Sequence, residues 1–263
     1  TIIRNQAVQA IDLSANNLDG VLPDSIWNLV HMTDLDLREN AVNVSFADIG
    51  NAQSLKSLTL SQTKVRTLNG IGAATALEAL HMTSNDIAGP LPDELFQLSK
   101  LEHLFLNFNS FTGSLPTLIG QLTALSELYM FNNALTGSLP TELGRPFRIK
   151  VISLGENNFS GEIPKVLSFL PFLEVLSLEK EERSLTDEVA GKARNPGLSG
   201  NLPQFHRVSK LKELYLGSNS IGGTIPGTFL AGVASKVSTL RVDLTSNSIH
   251  GTIPEALTAF DDL

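Results

Sequence analysis

The sequence predicts a right-handed α/β solenoid of about ten coils, with a parallel sheet on its concave side and short helical or 3-10 turns on its convex side. Two observations support this expectation. An asparagine-centred block recurs along the chain, as in IDLSANNLDGVLP ending at Pro23, LFLNFNSFTGSLP at Pro116 and VDLTSNSIHGTIP at Pro254, mostly in steps of 24 residues. Within each block, apolar residues alternate over a few positions and then give way to a turn rich in glycine and proline. A fixed period of that length marks a repeat array, in which each unit buries its apolar face only against its neighbours.

The strand comes first in each unit. After Leu101, Leu104 and Leu106 point inward while Phe105 between them points out, because successive strand residues face opposite sides. Stacked units then form a parallel sheet whose inner face is sealed by the rest of the coil. Next comes a column of asparagines: Asn16, Asn40, Asn85, Asn109, Asn133, Asn157, Asn195, Asn219 and Asn247, with Thr63 in the third repeat. Each sits where the chain turns away from the strand. Its amide can satisfy backbone groups stranded there and form a ladder with neighbouring repeats. Gly113 permits the tight bend that follows, and Pro116 ends hydrogen bonding on the outer side. The residues after the proline return along the convex face.

Composition narrows the function. The chain has 263 residues, 42% hydrophobic and 17% charged, which fits neither disorder nor collagen. A net charge of -8 argues against nucleic acid, which demands a basic stripe. The absence of cysteine excludes disulfides, thiolate metal sites and thiol nucleophiles. No run of about 18 apolar residues could span a bilayer, and Thr1 opens no signal peptide. The chain therefore reads as one soluble domain over residues 1–263, and as a segment of something longer. There is no nucleophile elbow, phosphate loop or acid–base pair in a cleft, so no catalytic residue and no cofactor is expected. His81 and His103 fall on adjacent strands near Glu78 and Glu102, but no spacing fixes a third ligand, so no metal site is expected either.

The Gly-x-Ile-Pro or Gly-x-Leu-Pro turn after the asparagine occurs in eight of the ten repeats. In this the chain resembles the plant class of leucine-rich repeats. That class includes the ectodomains of receptor-like kinases and receptor-like proteins, polygalacturonase-inhibiting proteins, and algal and diatom relatives. The resemblance implies a non-catalytic extracellular recognition module with a protein or peptide ligand, any membrane attachment lying outside these residues. It also leaves open a secreted inhibitor of a cell-wall hydrolase.

The chain departs from the pattern in three places. Repeats two and three replace the glycine–proline turn with NVSFADIGNAQS and VRTLNGIGAATA, which predicts a plainer convex wall. The family's paired-cysteine caps are missing, with Thr1–Gln6 and Phe260–Leu263 in their places. About residues 179–194, within EKEERSLTDEVAGKARNP, there is an excess of chain. Ser184 and Asp187 could cap a short helix there, ended by Gly191. It reads as a solvated surface insertion, since long surface loops are cheap, with a flap at the concave rim as the functional alternative.

Strand alternation also names what the concave face presents. The column between the two strand leucines reads Asp12, Asp36, Thr59, His81, Phe105, Tyr129, Ser153, Ser177, Tyr215 and Asp243. Flanking positions add His103, Asn107, Phe108, Glu127 and Phe131. Phe105, Phe108, Tyr129 and Phe131 then fall on two adjacent strands about 5 Å apart, and a solvent-facing group of aromatics marks an interaction patch. The candidate ligand-binding set is therefore these four with His81, His103, Asn107, Glu127 and Tyr215. Asp34, Asp36, Glu39, Glu78, Glu102 and Glu127 form an acidic rim suited to a basic or amphipathic peptide. Asn43-Val-Ser45 and Asn158-Phe-Ser160 are N-glycosylation sequons at exposed positions. Thr112, Ser114, Thr136, Ser138 and Ser160 outline an array on the outer edge that could meet ice or a mineral surface. It breaks at Glu162 and Asn201.

Overall fold

The structure is a computed structural model that describes residues 8–180, 197–205, 207–233, 240–255 and 257. Ten three-residue strands line the concave side: Ala10–Asp12, Asp34–Asp36, Ser57–Thr59, Ala79–His81, His103–Phe105, Glu127–Tyr129, Val151–Ser153, Val175–Ser177, Glu213–Tyr215 and Arg241–Asp243. They form one parallel sheet in which spatial order equals chain order. The chain is a leucine-rich-repeat solenoid, as its period requires.

Register follows the repeat without slippage. Leu104 pairs with Leu80 on one side and Leu128 on the other, so the central residue of each strand stacks on its counterparts. Leu35, Leu58, Leu80, Leu104, Leu128, Ile152, Leu176 and Leu214 are all buried along this line. Between the sheet and the outer wall lie larger side chains, including Phe46, Phe96, Phe111, Phe205 and Phe229. Trp27 is fully buried near the N-terminal end and donates its indole N–H to the Ser45 carbonyl at 3.0 Å, which satisfies its one polar atom.

The convex wall is built from 3-10 turns at Asp24–Asn28, Asp93–Gln97, Thr117–Gln121, Thr141–Gly144 and Lys165–Phe169. Each starts immediately after a proline of the repeat motif, from Pro23 to Pro164. Proline's fixed φ prepares the backbone for a helical turn, and its missing N–H is not needed there. In repeats two and three the prolines are absent, and the turns shrink to Ile49–Asn51 and Ile71–Ala73.

A second parallel sheet, which the sequence reading leaves as turn, follows the asparagine in the regular coils. Ala88–Pro90, Ser110–Ser114, Ala134–Ser138, Asn158–Glu162 and Leu198–Ser199 make five strands, and Asp19–Val21 pairs separately with Ala41–Asn43. The pattern is short but strand-like: Phe111, Leu135 and Phe159 are buried, whereas Thr112 and Thr136 after the first two are exposed. Thr112, Ser114, Thr136 and Ser138 thus lie on the open face of this sheet.

The asparagine ladder joins the two sheets. Asn157 donates its amide to the carbonyls of Met130 in the preceding coil and Leu154 in its own, both at 3.0 Å. Its side-chain oxygen accepts the Leu135 N–H at 3.0 Å. Asn40, Asn85, Asn109, Asn133, Asn219 and Asn247 repeat this three-way pattern. Asn16, in the first described coil, bonds to Leu13 and Ser14 of its own coil. Thr63 keeps only the local bond to Leu60, at 2.8 Å, and turns the same hydroxyl toward Asn85. Asn195 lies outside the described residues, as do Ser184, Asp187, Gly191 and both chain ends.

Around the insertion the structure shifts the expected boundary. Glu179 and Lys180 still follow the regular turn, since Glu179 accepts from the Glu156 N–H and Lys180 donates to Gly217. Asn219 then reaches back directly to the Leu178 carbonyl, and its side-chain oxygen takes the Leu198 N–H. The extra chain therefore leaves the coil after Lys180 and rejoins it at Gly197. Seven residues separate Asn109 from Pro116; the same interval before Pro203 falls on Pro196 and not on Asn195.

Candidate functional site

The concave column emerges in register, with His81 beside Phe105, Phe105 beside Tyr129, and Tyr129 beside Ser153. The pleat of each strand lifts these side chains away from the core because the residues on either side are buried aliphatic or methionine side chains, as with Leu80 and Met82 around His81 and Leu128 and Met130 around Tyr129. His81 and Phe105 meet edge to face with ring centroids 4.3 Å apart, and Phe105 meets Tyr129 in the same way at 4.8 Å. His103 stands 6.4 Å from Phe105. Pairs of this geometry add about 0.5–1.5 kcal/mol beyond area burial. The result is one aromatic row across three strands, each ring half-exposed.

Phe108 and Phe131 make a separate pair at the rim, 5.0 Å apart at 76°. Phe108 is 48% exposed and occupies the position just before the ladder asparagine, where its φ is +55°. The same left-handed position recurs in other coils, at Ala15, Glu39, Gln62, Ser84, Asn132, Glu156, Ser218 and Ser246.

Two of the sequence-named residues fall elsewhere. Asn107 is buried and its side-chain oxygen accepts from the Thr83 hydroxyl at 3.0 Å, so its amide oxygen is already partnered within the solenoid. A short side chain beyond the second leucine lies down against the neighbouring coil, where it finds a polar partner. Tyr215 is on the concave column but apart from the row, with Ser153 and Ser177 between it and Tyr129.

The acidic rim is partly neutralised. Asp36 faces Arg38 at 3.4 Å, Glu78 faces Lys56 at 2.9 Å, and Glu127 faces His103 at 3.1 Å. His103 is thus partnered by Glu127 on the next strand and not by Glu102. His81 is shifted toward the neutral form, first because burial penalises its charge and then because His103 repels it. The Tyr129 hydroxyl is held above its ordinary range by burial, with Glu127 and Glu213 adding to it. Among the described residues, no group of three His, Asp or Glu side chains could hold a metal ion.

Glu179 is a residue the sequence reading assigns to the insertion. It belongs to the concave face, two residues beyond Ser177, whose hydroxyl donates to it at 3.3 Å. Counting two positions past the column residue, as for Phe131 after Tyr129, is the signal that identifies it. Asn43 and Asn158 are both exposed. Among the described residues no helix is long and apolar enough to cross a membrane.

The Leucine Rich Repeat family model matches residues 7–29, 100–122 and 210–231. A comparison with the curated proteins finds no match. Among solved structures, the chain is similar to a plant peptide hormone receptor, RGFR1, in complex with RGF2, at 26% identity and a TM-score of 0.79, covering 97% of this chain and 42% of that one. It is also similar to the ectodomain of the plant membrane receptor kinase GASSHO1/SCHENGEN3 from Arabidopsis thaliana, in complex with Casparian strip integrity factor 2. There the identity is 28% and the TM-score 0.75, over 98% of this chain and 35% of that one. A plant ice-binding protein shares the fold, at 24% identity and a TM-score of 0.75, over 93% and 74%. The chain spans less than half the length of the two receptor ectodomains.

Proposed function

We propose that this leucine-rich-repeat solenoid is a non-catalytic extracellular recognition module, part of a receptor-like ectodomain, that binds a peptide or protein segment on its concave face. The observation that carries this reading is the half-exposed row His81–Phe105–Tyr129, flanked by the rim pair Phe108–Phe131. A solenoid has ample leucine to fill its core, so aromatics held edge to face on the open side serve contact with something else. The similar receptors include a plant peptide hormone receptor in complex with RGF2 and a receptor kinase ectodomain in complex with Casparian strip integrity factor 2, which supports a peptide or protein ligand here. Exposed Asn43 and Asn158 suit a secreted chain.

The test is selection of a displayed random-peptide library on the purified chain, followed by the same selection on the Phe105→Ala/Tyr129→Ala variant. Aromatic hot spots each contribute about 2 kcal/mol or more, so enriched peptides should lose at least roughly thirtyfold in affinity for the variant. Peptides that bind both proteins equally would remove the aromatic row from the site. Inhibition of a pectin-degrading hydrolase by the chain, unaffected by those substitutions, would favour the inhibitor reading instead.

A further inference from the structure

Beyond the aromatic row, the concave column continues through Ser153 and Ser177 to Tyr215. Two tyrosines thus bound a floor of two serines. Three strand intervals, about 14 Å, separate the walls. Gly155 and Gly217 keep the adjoining positions low. A Cβ on Gly155 would come within 2.8 Å of the Glu179 carbonyl and 3.4 Å of the Ser177 hydroxyl, and one on Gly217 within 3.3 Å of the Asp243 carboxylate.

The chemistry of this socket is one-sided. Ser153 is only 8% exposed, although it faces the concave side, and its hydroxyl has no hydrogen-bond partner among the described residues. Glu179 leans over the floor and accepts from Ser177, which leaves most of its acceptor capacity free. Its carboxyl is held above the ordinary range, first by burial, with Asp243 and Glu156 repelling its charge, and the Ser177 bond only partly offsets this. Glu127 and Glu213 lie on the other flank, in the register row that precedes the column. The described cations nearest these strands are Arg241, paired in register with Glu213, Lys180 at the rim, and Lys150 and Lys212 just before their strands, where Lys212 pairs with Glu174 at 2.5 Å.

We infer that this socket, bounded by Tyr129 and Tyr215 and floored by Ser153 and Ser177, seats an arginine side chain of the bound peptide, with Glu179 and Asp243 receiving its guanidinium. The assignment deepens the concave-face reading and rests on it. A guanidinium brings five donors and no acceptor, matching the Ser153 hydroxyl oxygen of the floor, the Glu179 carboxylate above it, and the carboxylate of Asp243, which stands one strand beyond Tyr215, leans toward Gly217 and accepts the Thr245 N–H on one oxygen. Its planar face can lie against either tyrosine ring, and its charge relieves the crowding of like charges around Glu179. A carboxylate or phosphate on the ligand would meet the opposite field.

The experiment uses two displayed peptide libraries on the wild-type chain, one fully random and one lacking arginine. The inference expects strong enrichment only from the first, with arginine at a constant place. The best clone, made as a synthetic peptide, should lose about tenfold or more when its arginine becomes citrulline, which keeps the shape and removes the charge. Glu179→Gln/Asp243→Asn should cause a similar loss for the parent peptide and little further loss for the citrulline peptide, with thermal unfolding unchanged. Equal affinities from the two libraries, or a double variant within about twofold of wild type, would overturn the arginine seat. If those peptides still depend on Phe105 and Tyr129, the recognition reading survives that failure. Enrichment from neither library would remove both.

Discussion

The side-chain amide of Asn219 donates to the carbonyl of Leu178, 41 residues earlier in the chain, at 3.0 Å. The equivalent bonds from Asn109, Asn133 and Asn157 span 27 residues. The coil thus closes over its insertion as if the extra residues were not there. Replacing residues 181–196 by a single asparagine would give Leu178-Glu179-Lys180-Asn-Gly197-Leu198, the spacing of a regular coil. The shortened chain should melt at or above the temperature of the parent, because loop-closure entropy changes only slowly with length. A drop of about 10 °C in thermal unfolding would mean that the excised residues themselves hold the solenoid together.

The ladder should respond in a graded way. Asn157 is buried and makes bonds to three coil segments. Asn157→Ala strands those partners, and each unsatisfied buried group costs about 1–3 kcal/mol. Asn157→Thr should cost less, since Thr63 shows that a hydroxyl can keep the bond to its own coil while losing the reach to the previous one. Urea unfolding of the two variants would check the order; equal losses would contradict it.

Exposure separates the concave column from the core. Leu104→Ala should cost about 2–5 kcal/mol, as a fully buried leucine leaves a cavity. Phe105→Ala, one residue on, should cost only about 1 kcal/mol, the worth of its edge-to-face contacts with His81 and Tyr129. Comparable losses in urea denaturation would mean that Phe105 is part of the core.

Acidity should weaken the fold through His81. Its folded-state pKa lies below the ordinary 6.5, first from burial and then from His103. The unfolded chain therefore binds the proton more readily, so stability falls as pH drops below about 6.5 and levels off once the folded form also protonates. His81→Gln should flatten that part of the pH dependence of the urea midpoint. An NMR titration of the His81 ring with a midpoint above 6.5 would reverse the sign.

Expression in a secreting eukaryotic host should add N-linked glycan at Asn43 and Asn158, both exposed. Intact mass before and after glycosidase treatment, with Asn→Gln variants at each position, reads this directly.

The solenoid itself was legible because one constraint repeats: Leu, x, Leu and Asn at fixed intervals allow a single way of stacking. That logic also placed His81, Phe105 and Tyr129 side by side. It failed where a side chain's fate depends on its neighbour coil. Asn107 looks like a surface residue until Thr83 is seen to hold it, and Glu179 looks like loop until Ser177 and Gly155 surround it. The second sheet was hidden because its strands offer just one or two alternations, too few to separate from a turn.

Phe108 sits in a left-handed backbone conformation that a bulky residue adopts only under constraint. Its N–H is tied to Phe131, and the next residue, Asn109, is fixed by ladder bonds on both sides. The ring therefore has two side-chain torsions and almost no backbone freedom. If the proposed ligand docks at this rim, it meets a contact already frozen in place, so little of its binding energy goes into ordering the solenoid. Dissociation, more than capture, is where that rigidity should be felt: the stiffer the mount, the longer the bound partner stays.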